Sequence, residues 1–325
     1  MTQKIYSNII GFGAFLPEKI MSNEELARLK NIDTNNEWII ARTGIKQRHI
    51  ATDHTVAEMA YHASKEAIAK SNIMVDDIDM IIVSSCSAVN VFPSIACVLQ
   101  NKLDINKNII AFDISAACSA FIYLLDIADS FIRSGKVKTV LIVSSEKMTD
   151  VLDWQDRKTC VLFGDGAGAM ILQANNKVGI IDTQICAAGQ YGEILQLNNV
   201  TRNTETNKEN FLTMNGQALY KLSIQKMSQL ILQILQKNNL QISDIDWLIP
   251  HQANKRILIQ VAEKLNLNLD KLLLTVDIHA NTSSASVPLA FHHFCIKEPK
   301  IKKGDLIIFE GFGGGLTWGG VLFRY

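Results

Sequence analysis

The chain repeats itself, and a repeat restricts the possible folds more than any composition does. Val75-Asp76-Asp77-Ile78-Asp79-Met80-Ile81-Ile82 is matched by Ile242-Ser243-Asp244-Ile245-Asp246-Trp247-Leu248-Ile249, and each run follows a long amphipathic stretch. Further on, Phe112-Asp113-Ile114-Ser115-Ala116 is matched by Val276-Asp277-Ile278-His279-Ala280, each leading into small residues and a helical pattern. Val140-Leu141-Ile142-Val143 is then answered by Leu306-Ile307-Ile308-Phe309, and the glycine-rich turn before Ala169-Met170-Ile171-Leu172 by the one before Val321-Leu322-Phe323. The order is kept throughout, so two copies of one unit are expected, residues 1–174 and 175–325, linked near Gln173–Lys177. Strand patterns at Met80–Val83, Ile109–Phe112 and Val140–Val143 alternate with helical patterns over 55–71, 93–103 and 119–134, which makes the unit α/β.

In a duplicated α/β protein, polar residues at the carboxyl ends of corresponding strands converge on one crevice. Three such ends carry chemistry. The first holds Cys118, in Asp113-Ile114-Ser115-Ala116-Ala117-Cys118-Ser119, where a strand stops and the periodic run Phe121, Leu124, Leu125, Ala128, Ile132 begins. A cysteine at a helix N-terminus is expected to favour its thiolate, because unpaired N–H groups and the helix dipole stabilise negative charge there. Taken alone, the same cysteine reads as a small buried hydrophobe among alanines. The second end holds His251 after Leu248-Ile249-Pro250, and the third holds Asn281 after Leu274-Thr275-Val276-Asp277. Cys118 and Asn281 lie past equivalent strands, so a pseudo-twofold axis would bring them face to face.

The totals exclude several other functions. The 32 basic and 32 acidic residues cancel, so no overall field argues for nucleic acid or an anionic membrane as partner. No apolar run reaches membrane-spanning length, and Met1-Thr2-Gln3-Lys4 leads into Ile9-Ile10-Gly11-Phe12-Gly13, too short a run for a secretory signal; a cytoplasmic protein is expected. The six cysteines (Cys86, Cys97, Cys118, Cys160, Cys186, Cys295) form no C-x-x-C pair and are read as thiols. The glycine runs match neither a P-loop nor G-x-G-x-x-G. His292-His293-Phe294-Cys295 reads as part of a surface helix, since adjacent helical residues point to different faces; no metal site is expected.

Ala116-Ala117-Cys118, Ile249-Pro250-His251-Gln252-Ala253-Asn254, His279-Ala280-Asn281-Thr282-Ser283, Phe163-Gly164-Asp165-Gly166-Ala167-Gly168 and Gly311-Phe312-Gly313-Gly314-Gly315 together resemble β-ketoacyl-acyl carrier protein synthase III, in order, from about residue 8 to the end. The resemblance implies a thiolase-like fold, two duplicated α/β halves in a layered αβαβα arrangement. It also implies a homodimer that condenses a short acyl-CoA with malonyl-acyl carrier protein, without a cofactor. By the same resemblance Cys118 is the acylated nucleophile. His251 and Asn281 would donate hydrogen bonds to the enolate, and the backbone N–H groups of Cys118 and Gly314 would form an oxyanion hole. Trp38, Arg42, Arg157 and Asn254 match the CoA site, where a ring and a guanidinium stack on adenine. Gln252, Ala253, Asn254, Lys255 and Arg256 match the carrier-protein docking helix, which Lys221 and Lys264 would extend. Phe92 matches the residue that enters the partner subunit's acyl pocket.

The sequence departs from the family at Ala120, Lys158 and Ala280, where glycine is usual, and at Gln217-Ala218-Leu219-Tyr220. Lys158 and 217–220 bear on acyl or CoA preference. Three rival readings share these residues. A papain-like hydrolase also orders Cys, His and Asn this way, but needs its histidine as a base beside the cysteine and has no duplicated core. A specialised condensing enzyme of secondary metabolism keeps the fold and changes the acyl group. A carrier-protein-binding scaffold would have no reason to keep all three groups.

Overall fold

The computed structural model describes residues 5–198 and 211–325; the leader reading at Met1–Lys4 lies outside the described residues. Strands β1 (Tyr6–Phe15), β2 (Met80–Ser84), β3 (Ile110–Ile114), β4 (Thr139–Lys147) and β5 (Asp165–Asn175) form one sheet in the order β1-β5-β4-β2-β3. Strands β6 (Ile180–Ala187), β7 (Trp247–Pro250), β8 (Leu306–Gly313) and β9 (Thr317–Arg324) form a second, in the order β7-β8-β9-β6. Read from β6, the second sheet repeats the order of the first, and the isolated bridge Leu248↔Leu272 stands where its fifth strand would pair.

Strand side chains alternate between two faces, and here both faces are buried, which explains the nearly unbroken apolar runs. Met80, Ile82, Val140 and Ile142 of the first sheet, with Ile249, Ile307, Phe309 and Phe323 of the second, share one core with α4 (Ala120–Arg133) and α8 (Ser286–Ile296). Ile81, Val83, Leu141 and Val143 face outward beneath α2 (Val56–Ser71), which follows α1 (Asn36–Thr43), and α3 (Ile95–Lys102). Leu248, Leu306, Ile308 and Leu322 face outward beneath α5 (Gly216–Lys237) and α6 (Lys255–Lys264). The layers are therefore αβαβα, with α4 and α8 in the middle. Gly11 and Gly13 let α2 lie directly on β1, since a Cβ at either would fall 2.2 or 2.1 Å from a helix carbonyl oxygen.

Three sequence expectations are corrected by this geometry. Val276–His279 is a short helix, α7, and not a strand; Leu272, four residues earlier, makes the strand-like bridge. The match between β4 and β8 moves by one residue, because Met80 pairs with Val140 and Trp247 with Ile307. A one-residue slip would send the whole apolar set to the other face. His292-His293-Phe294-Cys295 is on the central helix α8, not at the surface: Phe294 is in the core, and His292 meets Glu66 at 2.9 Å.

Candidate active site

Cys118 sits in a single 3-10 turn, Ala117–Ser119, between β3 and α4. Ala117 before it has φ 45°, which aims the cysteine off the strand direction at a cost of about 1–2 kcal/mol for a residue with a Cβ. Side-chain bonds hold that turn. Ser119 Oγ donates to the Ala116 carbonyl at 2.9 Å, and Thr317 Oγ1 donates to the same oxygen at 3.0 Å. Gly313 lies against the cysteine so closely that a Cβ there would be 2.6 Å from the Cys118 nitrogen. Gly314, the residue the resemblance implies for the oxyanion hole, follows Gly313 and packs on Ala117, next to the cysteine.

At Cys118 burial opposes the thiolate that a helix N-terminus favours. Burial pushes its thiol up to about 12, more than the Ser283 hydroxyl, at 3.5 Å from the sulfur, can offset. The Glu146 charge raises it further. Desolvation opposes the charged form over the whole buried sulfur, whereas the single turn before α4 offers few oriented N–H groups.

His251 follows β7 directly, and its backbone N–H donates to the Glu310 carbonyl of β8 at 2.8 Å. Burial lowers its pKa to about 3, with a backbone hydrogen bond at Ser283 working weakly the other way, so the ring is neutral. Its Nδ1 lies 2.7 Å from Ser286 Oγ, which also accepts the Gln252 N–H at 3.1 Å. Asn281 is pinned to the other half: its N–H donates to the Leu162 carbonyl and its own carbonyl accepts from Gly164. Asn281 Oδ1 accepts from the Ser283 N–H at 2.8 Å, leaving the amide's Nδ2 as its free donor side. Ser283 and Ser286 were not singled out from sequence; only the structure brings them to the ring, the amide and the sulfur.

Cys118, His251 and Asn281 line one cavity of about 770 Å³. Its apolar walls include Leu195, Met214, Met227 and Phe312, and Trp38, Arg42, Arg157, Asn254 and Arg256 also line it. The Arg42 and Arg157 guanidinium carbons lie 4.9 and 5.2 Å from the Trp38 ring centre. Arg157 also bonds the Asp33 carbonyl and carboxylate. Asn254 caps α6 by accepting the Arg256 N–H at 2.9 Å and donates to the Arg42 carbonyl at 3.0 Å. Lys255, Arg256, Lys221 and Lys264 are exposed, and Ala253 is half-buried. Gln252 is corrected: it is fully buried, donating to the Pro250 and Leu273 carbonyls and accepting from Thr275 and Val276, so it is a cross-link beneath the helix and no surface for a carrier protein. Phe92 lies elsewhere, 85% exposed on the loop before α3. Lys158 and Gln217, Leu219 and Tyr220 line the cavity, whereas Ala218 does not appear in its walls. Among the described residues no group of three His, Cys, Asp or Glu side chains is placed to hold a metal ion. Among them, too, no helix is long and apolar enough to cross a membrane.

Five alternating layers, with a buried cysteine where the two sheets meet, place the chain in the thiolase-fold class of condensing enzymes. Residues 112–189 match the family model for 3-oxoacyl-[acyl-carrier-protein] synthase III, and residues 235–325 match the model of its C-terminal part. The chain belongs to this family of condensing acyltransferases of fatty-acid biosynthesis. It is 49% identical over 321 residues to β-ketoacyl-[acyl-carrier-protein] synthase III of Rickettsia bellii, covering 98% of this chain and 99% of the relative. The crystal structure of 3-oxoacyl-[acyl-carrier-protein] synthase III from Aquifex aeolicus superposes with a TM-score of 0.92 at 44% identity, covering 98% of this chain and 100% of that one. The priming β-ketosynthase of the R1128 polyketide pathway superposes with a TM-score of 0.93 at 30% identity, covering 100% of this chain and 98% of that one.

Proposed function

We propose that the chain joins a short acyl group, taken from acyl-CoA with acetyl-CoA as the first candidate, to malonyl-acyl carrier protein, starting fatty-acid synthesis. The observation that carries this reading is the meeting of Cys118, His251 and Asn281 in one cavity that also takes in Trp38 and the two arginines stacked on it. Trp38, Arg42, Arg157 and Asn254 hold the CoA end. The acyl carbonyl reaches Cys118, where the backbone N–H groups of Cys118 and Gly314 receive its developing negative charge. The Cys118 sulfur forms the new thioester and CoA departs with the electron pair of the broken C–S bond.

Malonyl-acyl carrier protein then enters, docked by Ala253–Arg256 with Lys221 and Lys264. Loss of CO₂ leaves an electron pair that spreads onto the thioester oxygen. The Asn281 Nδ2 and the His251 Nε2 donate to that oxygen. This requires Nδ1 to accept the hydrogen of Ser286 Oγ, 2.7 Å away, a hydroxyl whose oxygen also accepts the Gln252 N–H. Each such donor contributes about 3 kcal/mol in comparable sites. The enolate carbon attacks the acyl-cysteine and the thiolate leaves. A neutral histidine at about 3 is a poor base for a cysteine, which weighs against the hydrolase reading. We assign the nucleophile to residues 1–174 and the two donors to residues 175–325. Exposed Phe92 and the edge position of β3 support a homodimer that shares this surface. We assign the protein to the cytoplasm, with neither a cofactor nor a metal.

A specialised condensing enzyme is the second reading, favoured by Lys158 and Tyr220 in the cavity wall. One experiment separates the readings: incubation with a panel of acyl-CoAs and malonyl-acyl carrier protein, read by intact mass. Loading of acetyl on Cys118 followed by a 3-ketoacyl carrier product is expected. Free acid without condensation would mean a hydrolase, and loading of only long or aromatic groups the specialised enzyme. Arg256→Glu is expected to raise KM for malonyl-acyl carrier protein about tenfold, as for loss of one charge-assisted contact, and to leave acyl-CoA loading unchanged. Unaltered carrier-protein kinetics would remove α6 from the docking surface.

A further inference from the structure

A thiol that attacks a thioester must give up its hydrogen, and His251, held at about 3 by burial, takes up no proton at neutral pH. Beside the sulfur, on the turn that carries Asn281 and on the first sheet, lies a connected set of polar groups. Ser283 Oγ is 3.5 Å from Cys118 Sγ. Cys86 Sγ is 3.6 Å from Ser283 Oγ. The Cys86 thiol in turn donates to Glu146 Oε2 at 3.2 Å. Glu146 is 1% exposed in β4, and Cys86 follows the adjacent strand β2, so both are anchored in the middle of the first sheet. The carboxylate is held in place by the Cys86 N–H at 3.0 Å, Ser87 Oγ at 3.0 Å and Ser284 Oγ at 2.6 Å.

We propose that Glu146 receives the Cys118 proton, relayed by Ser283 and Cys86, as the acyl group arrives. This rests on the reading of Cys118 as the acyl acceptor. At rest the Ser283 hydroxyl donates to Cys118 Sγ; as the sulfur attacks the carbonyl carbon that hydroxyl turns toward Cys86, the Cys118 hydrogen passes to Ser283 Oγ, the Ser283 hydrogen to Cys86 Sγ, and the Cys86 hydrogen to Glu146 Oε2. The new C–S bond forms, the C–S bond to CoA breaks, and CoA leaves as a thiolate that takes a proton from water. When the enolate later displaces Cys118, the sulfur departs with its electron pair and the same path returns the proton from Glu146. No oxidant or outside base is needed.

The electrostatics favour a relay over a resting thiolate. The titratable groups facing Glu146 are the two thiols, Cys86 and Cys118, and its other partners are neutral. Ionising Cys118 beside an ionised Glu146 would bury two negative charges, whereas transfer between them keeps one. Cys86 is pushed well above the ordinary thiol range by burial and then by Glu146, so it serves as a bridge and not as a resting anion. After transfer the Ser283 hydroxyl points at the Cys118 thiolate, which it stabilises. Ser283 touches the reacting sulfur; Cys86 and Glu146 act through it.

The test is rapid-quench acetylation of the full-length enzyme by acetyl-CoA, read by mass on Cys118 from about pH 6 to about pH 10, the range that brackets thiol titration. Cys86→Ala is expected to slow loading at neutral pH by about 10²-fold, the usual contribution of a positioned proton transfer. Its rate should climb with pH as hydroxide replaces the relay. Cys86→Ser keeps a bridging hydroxyl and should recover most of the rate, and Glu146→Gln should behave as Cys86→Ala does. An unchanged pH profile in Cys86→Ala, or serine doing no better than alanine, overturns the relay while leaving the nucleophile in place. If the wild type is not acylated on Cys118, and Cys118→Ala is still acylated elsewhere, the nucleophile reading fails and the relay with it.

Discussion

The turn that presents Cys118 and the turn that presents Asn281 are built alike and carry opposite chemistry. Each places an alanine at positive φ immediately before the functional residue: Ala117 at 45° and Ala280 at 59°. Each is then bound to the other half, the first through Thr317 to the Ala116 carbonyl and the second through Leu162 and Gly164. One turn delivers a buried thiol raised to about 12, the other an amide whose oxygen is already occupied by Ser283. The difference shows that duplication supplied a way of aiming a side chain across the junction, and that the chemistry was set by the residue placed at the tip. On the proposed roles of these residues it also separates the two half-reactions in space, with acyl transfer in one half and enolate stabilisation in the other.

The largest expected effect comes from removing the first tip. Cys118→Ala should abolish acyl loading and lower condensation by roughly 10³-fold or more, while decarboxylation of malonyl-acyl carrier protein persists, since its donors lie in the other half. Loss of decarboxylation as well, measured by CO₂ release, would mean that the halves do not divide the work. Next, Asn281→Ala should lower condensation by about 10²–10³-fold, with loading of Cys118 preserved; equal loss of both steps would erase the contrast. Smaller still are the turns themselves. Ala280, at φ 59° and ψ −160°, lies in a region that glycine alone enters freely. Ala280→Gly should therefore raise stability by about 1 kcal/mol, read as a denaturation midpoint. Ala117→Gly should change stability by less than about 1 kcal/mol, since relieved strain is offset by the freer unfolded chain. A destabilised Ala280→Gly would show that the alanine methyl is needed for packing.

Much of this was legible before the structure. The repeated Asp-Ile-Asp strand starts and the order of the apolar runs gave two stacked α/β units, because strands buried on both faces cannot hide their composition. Cys118, His251 and Asn281 stood out because each ends an apolar strand or follows its equivalent. Three things were not legible. The second copy lost its fifth strand to a bridge at Leu272 and a short helix, a change that leaves Val276-Asp277-Ile278 looking as strand-like as its counterpart. Gln252 sits in a polar run and reads as exposed, yet it is buried because it satisfies four backbone groups at once. A helix terminus is a local feature visible in the order of residues, whereas the burial that pushes the Cys118 thiol up comes from Gly313 and the facing half.

The division of labour between the halves is tested most directly by one measurement, the intact mass of the His251→Ala/Asn281→Ala double variant after exposure to acetyl-CoA and then to malonyl-acyl carrier protein. The chain should gain one acetyl group on Cys118 at close to the wild-type rate and then hold it, with no 3-ketoacyl product formed. Failure of the folded double variant to acetylate, or an acetyl group found on any residue other than Cys118, would contradict it.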